Sequence, residues 1–513
     1  KGNKINGEKF IPQAIQKGAS VIVCSKSCKI NDKKILIIRT NKIRNLLSNL
    51  ASKFYPLKPK NILAVTGTNG KTSVADIFYQ ILRINNIPAA TIGTLGVKYN
   101  GKTIKTNLTS PDTISLHKYL FFLKKRKIDN VIIEASSHGL DQKRMHHIKF
   151  KGGIFTNFTQ DHLDYHKTMR SYLDAKLILF KEILEKKATI ISDKEIQPFS
   201  KLNLIAKQKN LKIIDIAKQL EKIKNYSNDF TINYKIKNLA MALQAVKLCG
   251  FKEKLIIRSL KKIKDVNGRL EFVKKFKNNV KVFIDYAHTP DALFQTLKSL
   301  KKLFGNNISL VFGCGGERDK KKRPIMAKIA NDNCKKIYIT DDNPRNENPN
   351  KIRSQLLKYI TKKNRVFNIG KRDLAIKKAI QNAKPDEIIL VAGKGHEEQQ
   401  FYKNKILNIS DKRIIKRINF KKKSISQKKL NYLQNNSILK KIIKKSKSFK
   451  FNGLSIDTRL IKKENLFLAI KGKNNDGNKF ISKAFKKGAA YAITEKKTKK
   501  NRKIIRIKNT ILF

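Results

Sequence analysis

The sequence predicts an α/β protein: a central parallel sheet carrying a phosphate-binding loop, then a second, Rossmann-like α/β unit. Partial α/β segments flank them. Three observations carry this. Strand and helix patterns alternate from about residue 60 to 420. The apolar run Ile62-Leu63-Ala64-Val65 leads straight into Thr66-Gly67-Thr68-Asn69-Gly70-Lys71-Thr72-Ser73. Finally, residues 471–493 repeat residues 1–23 without a gap, at ten of the twenty-three positions.

Residues 1–58 open with Phe10–Lys17, apolar at helical spacing and stopped by Gly18. Ser20–Cys24 and Ile35–Ile38 read as strands. A central domain over 59–267 follows, with strands Val131–Glu134, Gly153–Thr156 and Ala188–Ser192 and a helix Tyr172–Lys187. Such a rhythm argues a mainly parallel sheet covered by helices. Residues 268–420 form the second unit, with strands Val280–Asp285, Ser309–Phe312, Lys336–Thr340 and Glu387–Val391 around helices such as Pro290–Leu303. A Lys-, Ser-, Gln- and Asn-rich linker spans 421–436. The repeat places a second copy of the opening domain, incomplete, at 437–513, and makes residues 1–58 a domain cut at its N-terminus. The shared glycines fall at turns and a helix C-cap.

Composition excludes several classes. At 513 residues the chain is long enough for three or four cored domains. No apolar stretch approaches bilayer length, and no signal peptide is read within the sequence. Lys1-Gly2, without an initiator Met, reads as the middle of a chain, which leaves a lost targeting segment open. The net charge of +76 invites a nucleic-acid reading. The lysines, however, run along the whole chain among many Ile and Asn, and no RNA-binding aromatic signature accompanies them. Such a field still attracts an anionic substrate. The five cysteines are odd in number and scattered, which suits a reducing cytoplasm. No second pair follows Cys24 and Cys28 to complete a zinc site.

The loop Gly67–Ser73 aims backbone N–H groups at one point, where the helix N-terminus favours negative charge. Lys71 supplies a cation for outer phosphates and Thr72 a hydroxyl for Mg²⁺. Val65 stands where the usual loop pattern has its first Gly. Glu134-Ala135-Ser136-Ser137-His138-Gly139-Leu140 closes a strand, so Glu134 can complete the metal shell begun by Thr72. The run Thr156-Asn157-Phe158-Thr159-Gln160-Asp161-His162-Leu163-Asp164-Tyr165-His166 has metal-ligand density. Lys176 follows ten residues later; by itself a helical Lys marks a solvated face. In the second unit, Asp285 suits ribose hydroxyls, and the ring after it a base. Gly313–Asp319, Asp341–Arg345 and Gly393–Glu397 each follow a strand. Together they offer two Arg and several carboxylates, a pocket for a zwitterionic amino acid.

The ordered set TGTNGKTS, EASSHGL, FTN-x3-DHLDYH, DAK, GRLE, DYAHTPD, GER, DNPR and GKGHE resembles the Mur ligase family over residues 1 to about 420. It is most similar to the branch that adds meso-diaminopimelate to UDP-MurNAc-L-Ala-D-Glu. The tail from Gly453-Leu454-Ser455-Ile456-Asp457-Thr458-Arg459 resembles the first domain of a second Mur ligase, of the branch that adds D-Ala-D-Ala. The resemblance implies a three-domain, cytoplasmic, ATP- and Mg²⁺-dependent amide ligase of cell-wall synthesis, acting through an acyl phosphate. A lysine-adding or folylpolyglutamate-type ligase is the alternative. It implies that Gly67, Thr68, Asn69, Gly70, Lys71, Thr72 and Ser73 bind ATP with Asn238, Arg269 and Asp285. Lys71, Glu134, His162 and Lys176 would be catalytic. Metal would be held by Thr72, Glu134, His162 and a carbamoylated Lys176. Thr109, Ser110, Ser136, Gln142 and Arg144 would contact the muramoyl dipeptide, and Arg318, Asp342, Asn343, Pro344, Arg345, Gly393 and Glu397 diaminopimelate. Arg345 would clamp the second carboxylate that lysine lacks. One departure is Lys235, where the family has Asn. The resemblance implies no nucleic-acid partner and no membrane, and the tail suggests coupling to the next ligase.

Overall fold

The computed structural model describes residues 6–226, 232–252, 259–276, 278–418, 450–472, 475–497, 501, 503–507 and 510. The linker at 421–436 lies outside them. The chain divides into two compact units, Lys1–Ile418 and Asn419–Phe513.

The first unit contains three sheets and a small hairpin. Strands β1 (Val21–Cys24) and β2 (Leu36–Arg39) pair in parallel and share a small core with the helix Ile11–Gln16, while the helix Ile43–Phe54 packs on the helix Thr113–Lys125. The central sheet has eight strands: β3 (Asn61–Thr66), β4 (Ala89–Gly93), β5 (Gly96–Tyr99), β6 (Lys102–Ile104), β7 (Asn130–Glu134), β8 (Gly152–Phe155), β9 (Thr189–Ser192) and β10 (Lys212–Asp215). Their order is β10-β9-β8-β3-β7-β4-β5-β6. All are parallel except the edge ribbon β5–β6. Strand β3 is buried along its whole length. Its Ile62 and Ala64 enter one core layer, and Leu63 and Val65 the other, as period-two side chains between two helix layers must. The chain leaves β3 for β7 and β4 on one side and β8 to β10 on the other. The loop after β3 therefore sits at the topological switch point, where open α/β sheets bind ligands.

The second sheet is built from β11 (Glu271–Lys275), β12 (Lys281–Asp285), β13 (Ile308–Phe312), β14 (Lys336–Ile339), β15 (Val366–Asn368) and β16 (Ile388–Ala392). Its order is β11-β12-β16-β13-β14-β15, parallel apart from β11. The loops after β12, β13, β14 and β16 share one edge. The hairpin β17 (Gln399–Tyr402) and β18 (Lys405–Asn408) flanks that edge and pairs with it through Arg345 N–H on Phe401 O, 2.9 Å.

One helix differs from expectation. The segment expected as Tyr172–Lys187 is a helix over Met169–Ile178 that widens into a π-turn at Leu179–Ile183 and ends at extended Leu184. The wider turn turns Leu179, Phe180 and Ile183 into the core, a packing gain that outweighs regular hydrogen bonding.

In the second unit β19 (Gly453–Ser455), β20 (Asn465–Leu468), β21 (Tyr491–Thr494) and β22 (Ile504–Arg506) form one parallel sheet. The same kinds of element stand at the repeated positions. The 3₁₀ turn Gly7–Phe10, helix Ile11–Gln16 and β1 recur as Gly477–Phe480, Ile481–Lys486 and β21. Asn6 and Asp476 cap the two turns alike, accepting the N–H groups of Glu8 and Asn478.

Candidate active site

The loop after β3 takes a conformation that only its glycines permit. Gly67 has φ +137°, and a Cβ there would overlap Thr156 Oγ1. Gly70, at φ +89°, caps the helix Lys71–Ile84. Lys71 folds back so that Nζ donates to Gly67 O and Thr68 O, both at 2.8 Å. Burial pushes its ammonium below the ordinary range, opposed by Glu134 and Asp161. Thr68 is fixed from three sides: its hydroxyl donates to Thr159 O at 3.0 Å and accepts from Thr159 N–H (3.0 Å) and Tyr172 OH (3.3 Å).

Beside the loop, Thr72 Oγ1 donates to Glu134 Oε2 at 2.9 Å. Thr94 holds the same carboxylate, N–H to Oε1 at 2.8 Å and hydroxyl to Oε2 at 2.9 Å. Arg269 arrives from the second sheet, its Nη2 3.1 Å from Thr72 Oγ1 and its guanidinium 4.3 Å over the Tyr286 ring. Lys176, expected on a solvated face unless the family pattern holds, is buried with Nζ 2.7 Å from Gly67 O. Burial, then repulsion from Lys71, pushes its pKa well down. Both effects favour the uncharged amine, the form able to take up CO₂.

His162 has left-handed backbone (φ +56°) and is pushed down to about 3 by burial, so it is a neutral imidazole. Its Nε2 lies 3.4 Å from Asp161 Oδ2. Asp161 is a hub: His288 Nε2 is 3.5 Å from Oδ2, and Lys322 Nζ is 3.9 Å from Oδ1. Burial opposes its ionisation, but His162, His288 and Lys322 together hold it well below the carboxylate range.

The four expected metal ligands, Thr72, Glu134, His162 and Lys176, all line the cavity at the phosphate loop. Among the described residues no group of three or more His, Cys, Asp or Glu converges. Glu134 faces Thr72 and Thr94, whereas His162 faces Asp161. Thr72 and Glu134 still fit a hard cation, since Mg²⁺ takes few protein oxygens and fills its shell with phosphate and water.

Ser110, Ser136, Gln142 and Arg144 form one hydrogen-bonded patch. Ser110 Oγ donates to Glu134 O at 2.8 Å, and Ser136 N–H donates to Ser110 Oγ at 2.9 Å. Arg144 reaches Ser110 O (2.7 Å) and Gln142 Oε1 (2.6 Å). Thr109 joins through Thr94, Oγ1 to Oγ1 at 3.2 Å. Ser136 also caps the helix Ser137–Asp141. The loops of the second sheet meet opposite this patch. Arg345 Nη1 donates to Gly316 O at 2.8 Å and makes no ion pair among the described residues. Burial, then the Arg318 charge, lowers its pKa. Glu397 accepts from Asn343 (2.8 Å) and Lys394 (2.9 Å). Asp342 leaves Oδ2 buried and without a hydrogen-bond donor.

Two cavities result. One is lined by residues 68–73 with Asn238, Arg269 and Asp285. The other is lined by Thr109, Ser110, Ser136 and Arg144 on one side and by Arg318, Asp342, Asn343, Arg345, Gly393 and Glu397 on the other. Gln142 and Pro344 are not among the residues lining it, nor is Gly67 among those lining the first. Thr109, Ser136, Asp161, His162, Tyr286 and His288 line both. Two of the side chains lining the first cavity also make contacts of their own. Asp285 turns its oxygens to Leu270 N–H and Ala287 N–H, because a carboxylate at a buried strand end must satisfy the turn beside it. The ring of Tyr286 stacks under Arg269 at the junction of the cavities. Sequence reasoning did not single out Thr94, which has no motif around it, or assign Asp161, which lies inside a flagged motif.

Residues 65–252 match the Mur ligase middle domain, 268–395 the Mur ligase glutamate ligase domain, and 450–512 the Mur ligase family catalytic domain. The UDP-N-acetylmuramoyl-L-alanyl-D-glutamate–2,6-diaminopimelate ligase of Rickettsia montanensis is 38% identical over 444 residues, covering 81% of this chain and 91% of that protein. A solved structure of a ligase of the same name is 26% identical with a TM-score of 0.53, covering 80% of this chain and 88% of that one. A Yersinia pestis bifunctional folylpolyglutamate synthase/dihydrofolate synthase, solved with AMPPNP and Mn, shares the fold at 16% identity and TM-score 0.55, over 72% of this chain and 93% of that one. With this loop, this pair of sheets and these matches, the chain belongs to the Mur ligase family.

Proposed function

We propose that this chain joins meso-2,6-diaminopimelate to the D-Glu γ-carboxylate of UDP-MurNAc-L-Ala-D-Glu at the expense of ATP. The observation that carries the reading is the shared wall: a phosphate-loop cavity opens onto a second cavity at Thr109, Ser136, Asp161 and His162. A carboxylate in the second cavity thereby meets the terminal phosphate in the first.

The γ-carboxylate oxygen attacks the γ-phosphorus, ADP leaves, and an acyl phosphate forms. The diaminopimelate amine then attacks the acyl carbon, loses a proton, and expels inorganic phosphate. Activation is needed because a carboxylate has no leaving group; the protein's share is positioning and charge neutralisation. Lys71, Arg269 and the loop N–H groups face the phosphate charge. Thr72 and Glu134 are the residues that would hold Mg²⁺, with His162 and a carbamoylated Lys176 for a second ion. A bound Mg²⁺ neutralises phosphate charge and orients the transferring group. Neutral His162 keeps a lone pair available, and the lowered Lys176 pKa, set by burial and the Lys71 charge, favours carbamate formation.

Arg318 and Arg345 give the far end of the second cavity two cations. A substrate with a second carboxylate fits that end, and lysine would place an ammonium against them. We read the copy at 450–512 as the first domain of a second ligase, of the D-Ala-D-Ala-adding kind, and residues 6–58 as its counterpart here. The groups assigned to the reaction lie between Gly67 and Glu397, so deleting 436–513 should leave ligation intact and remove only coupling to the next ligase. Five free thiols suit a reducing cytoplasm. The test is mass spectrometry of the product formed from ATP, Mg²⁺ and UDP-MurNAc-L-Ala-D-Glu with diaminopimelate and lysine in competition. A diaminopimelate tripeptide is expected; a lysine product, or none, overturns the reading.

A further inference from the structure

The loop after β13 and the loop after β14 both place a cation on the amino-acid end of the second cavity, Arg318 and Arg345. The two like charges repel; Asp342 and Glu397 on the same wall favour the Arg345 charge, but neither makes an ion pair with it among the described residues. What holds them lies one layer behind. Arg323, in the helix Lys322–Asn333, is 1% exposed and does not line the cavity. Its Nη1 donates to Glu347 Oε2 at 3.0 Å and Gln355 Oε1 at 2.7 Å. Its Nη2 donates to Glu347 Oε1 at 3.1 Å and Gly315 O at 3.1 Å. Glu347 also accepts the Glu317 N–H at 2.6 Å. Burial alone would raise its pKa, but the Arg323 and Glu317 hydrogen bonds keep it below the usual range.

This fork-to-fork pair grips the Gly315–Glu317 backbone between its two members. The gripped segment in turn fixes both cations. Gly316 O accepts from Arg345 Nη1 at 2.8 Å, and Gly316 N–H donates to Asn343 O at 2.9 Å. Arg318 is the next residue along from Glu317. A rotation of the Gly316–Glu317 peptide, which carries both Gly316 O and Glu317 N–H, would therefore release Arg345 and swing Arg318 together. A bidentate guanidinium–carboxylate pair resists such rotation where a single ammonium does not.

We propose that Arg323 and Glu347 are positioning residues that set selectivity for an amino-acid substrate bearing a second carboxylate, by holding Arg318 and Arg345 at fixed spacing. The inference rests on the reading of the site given above and deepens it.

The experiment is steady-state kinetics of the full-length protein carrying Arg323→Lys, with diaminopimelate and lysine as competing amines. A charge-assisted hydrogen bond lost from the brace should raise KM for diaminopimelate about tenfold or more. The kcat should stay within about twofold, and KM for ATP and for the nucleotide dipeptide should not change. Preference over lysine should fall by the same factor as KM rises. A brace that merely supports the fold would instead shift all three KM values and kcat together, which overturns the proposal, as does an unchanged KM for diaminopimelate. Should Arg323→Lys fail to fold, Glu347→Gln, at a position one-fifth exposed, carries the same expectation and the same refutation. If the unmodified protein forms no diaminopimelate product, the reading of the site falls and the inference with it. If it forms that product and the variants keep its KM, the inference alone falls.

Discussion

Gly67→Ala is the sharpest probe of the phosphate loop. The backbone at φ +137° costs an L-residue about 1–3 kcal/mol. The new methyl would also overlap Thr156 Oγ1, whose hydroxyl lies 2.5 Å from Asn69 O and 3.2 Å from Thr66 O. Displacing that hydroxyl loses about 1 kcal/mol of net hydrogen bonding. The total is about 2–4 kcal/mol, and it falls on the loop rather than the core. Relaxation of the loop would spare the fold but move Gly67 O, which receives both Lys71 and Lys176. Nucleotide affinity should therefore drop about 30- to 1,000-fold, while the melting temperature moves little. The assay is calorimetric titration with Mg·ADP alongside thermal unfolding. Gly67→Ala/Thr156→Ala should recover part of the loss, giving a non-additive cycle. Recovery should be incomplete, because Asn157 N and O stand 3.0 Å from the same methyl. Wild-type affinity in the single variant would refute the argument that this backbone conformation builds the phosphate site.

Three further outcomes are expected. Thr94→Val removes one hydroxyl bond to Glu134; the Mg²⁺ concentration giving half-maximal ATP turnover should rise about 10-fold or more, and an unchanged Mg²⁺ titration would refute it. Arg345→Leu should cut the kcat/KM preference for diaminopimelate over lysine by about 10- to 100-fold, the value of one charged hydrogen bond, with ATP binding intact; an unaltered preference would remove Arg345 from the specificity site. His117 and His396 are held down to about 4 by burial. The unfolded chain therefore binds more protons between about pH 6.5 and 4, and stability should fall as pH falls through that window, by up to about 1.4 kcal/mol per pH unit per group. Denaturant titrations at pH 7, 5.5 and 4.5 measure this, and His117→Gln should flatten the slope; a slope unchanged by that variant would place its origin elsewhere.

Local chemistry was legible in the residue order alone: a strand run into Gly67–Ser73, the DNPR turn at Asp342–Arg345, the tail's copy of the opening turn, helix and strand. These are short-range patterns, where spacing and glycine placement dictate backbone and residue type dictates chemistry. The tertiary structure decided what depends on approach between distant segments. Lys176 reads as a surface lysine until the strand beneath it puts its amine on Gly67 O. Arg269 meets Thr72 across 197 residues. Asp161 becomes a hub only when His288 and Lys322 close over it. Thr94 has no motif, yet it orients Glu134. The helix after Met169 ends early because side chains in the core, not propensity, set its last turn. Burial, and with it the protonation state of each group, is a property of the assembled layers, so no local pattern could contain it.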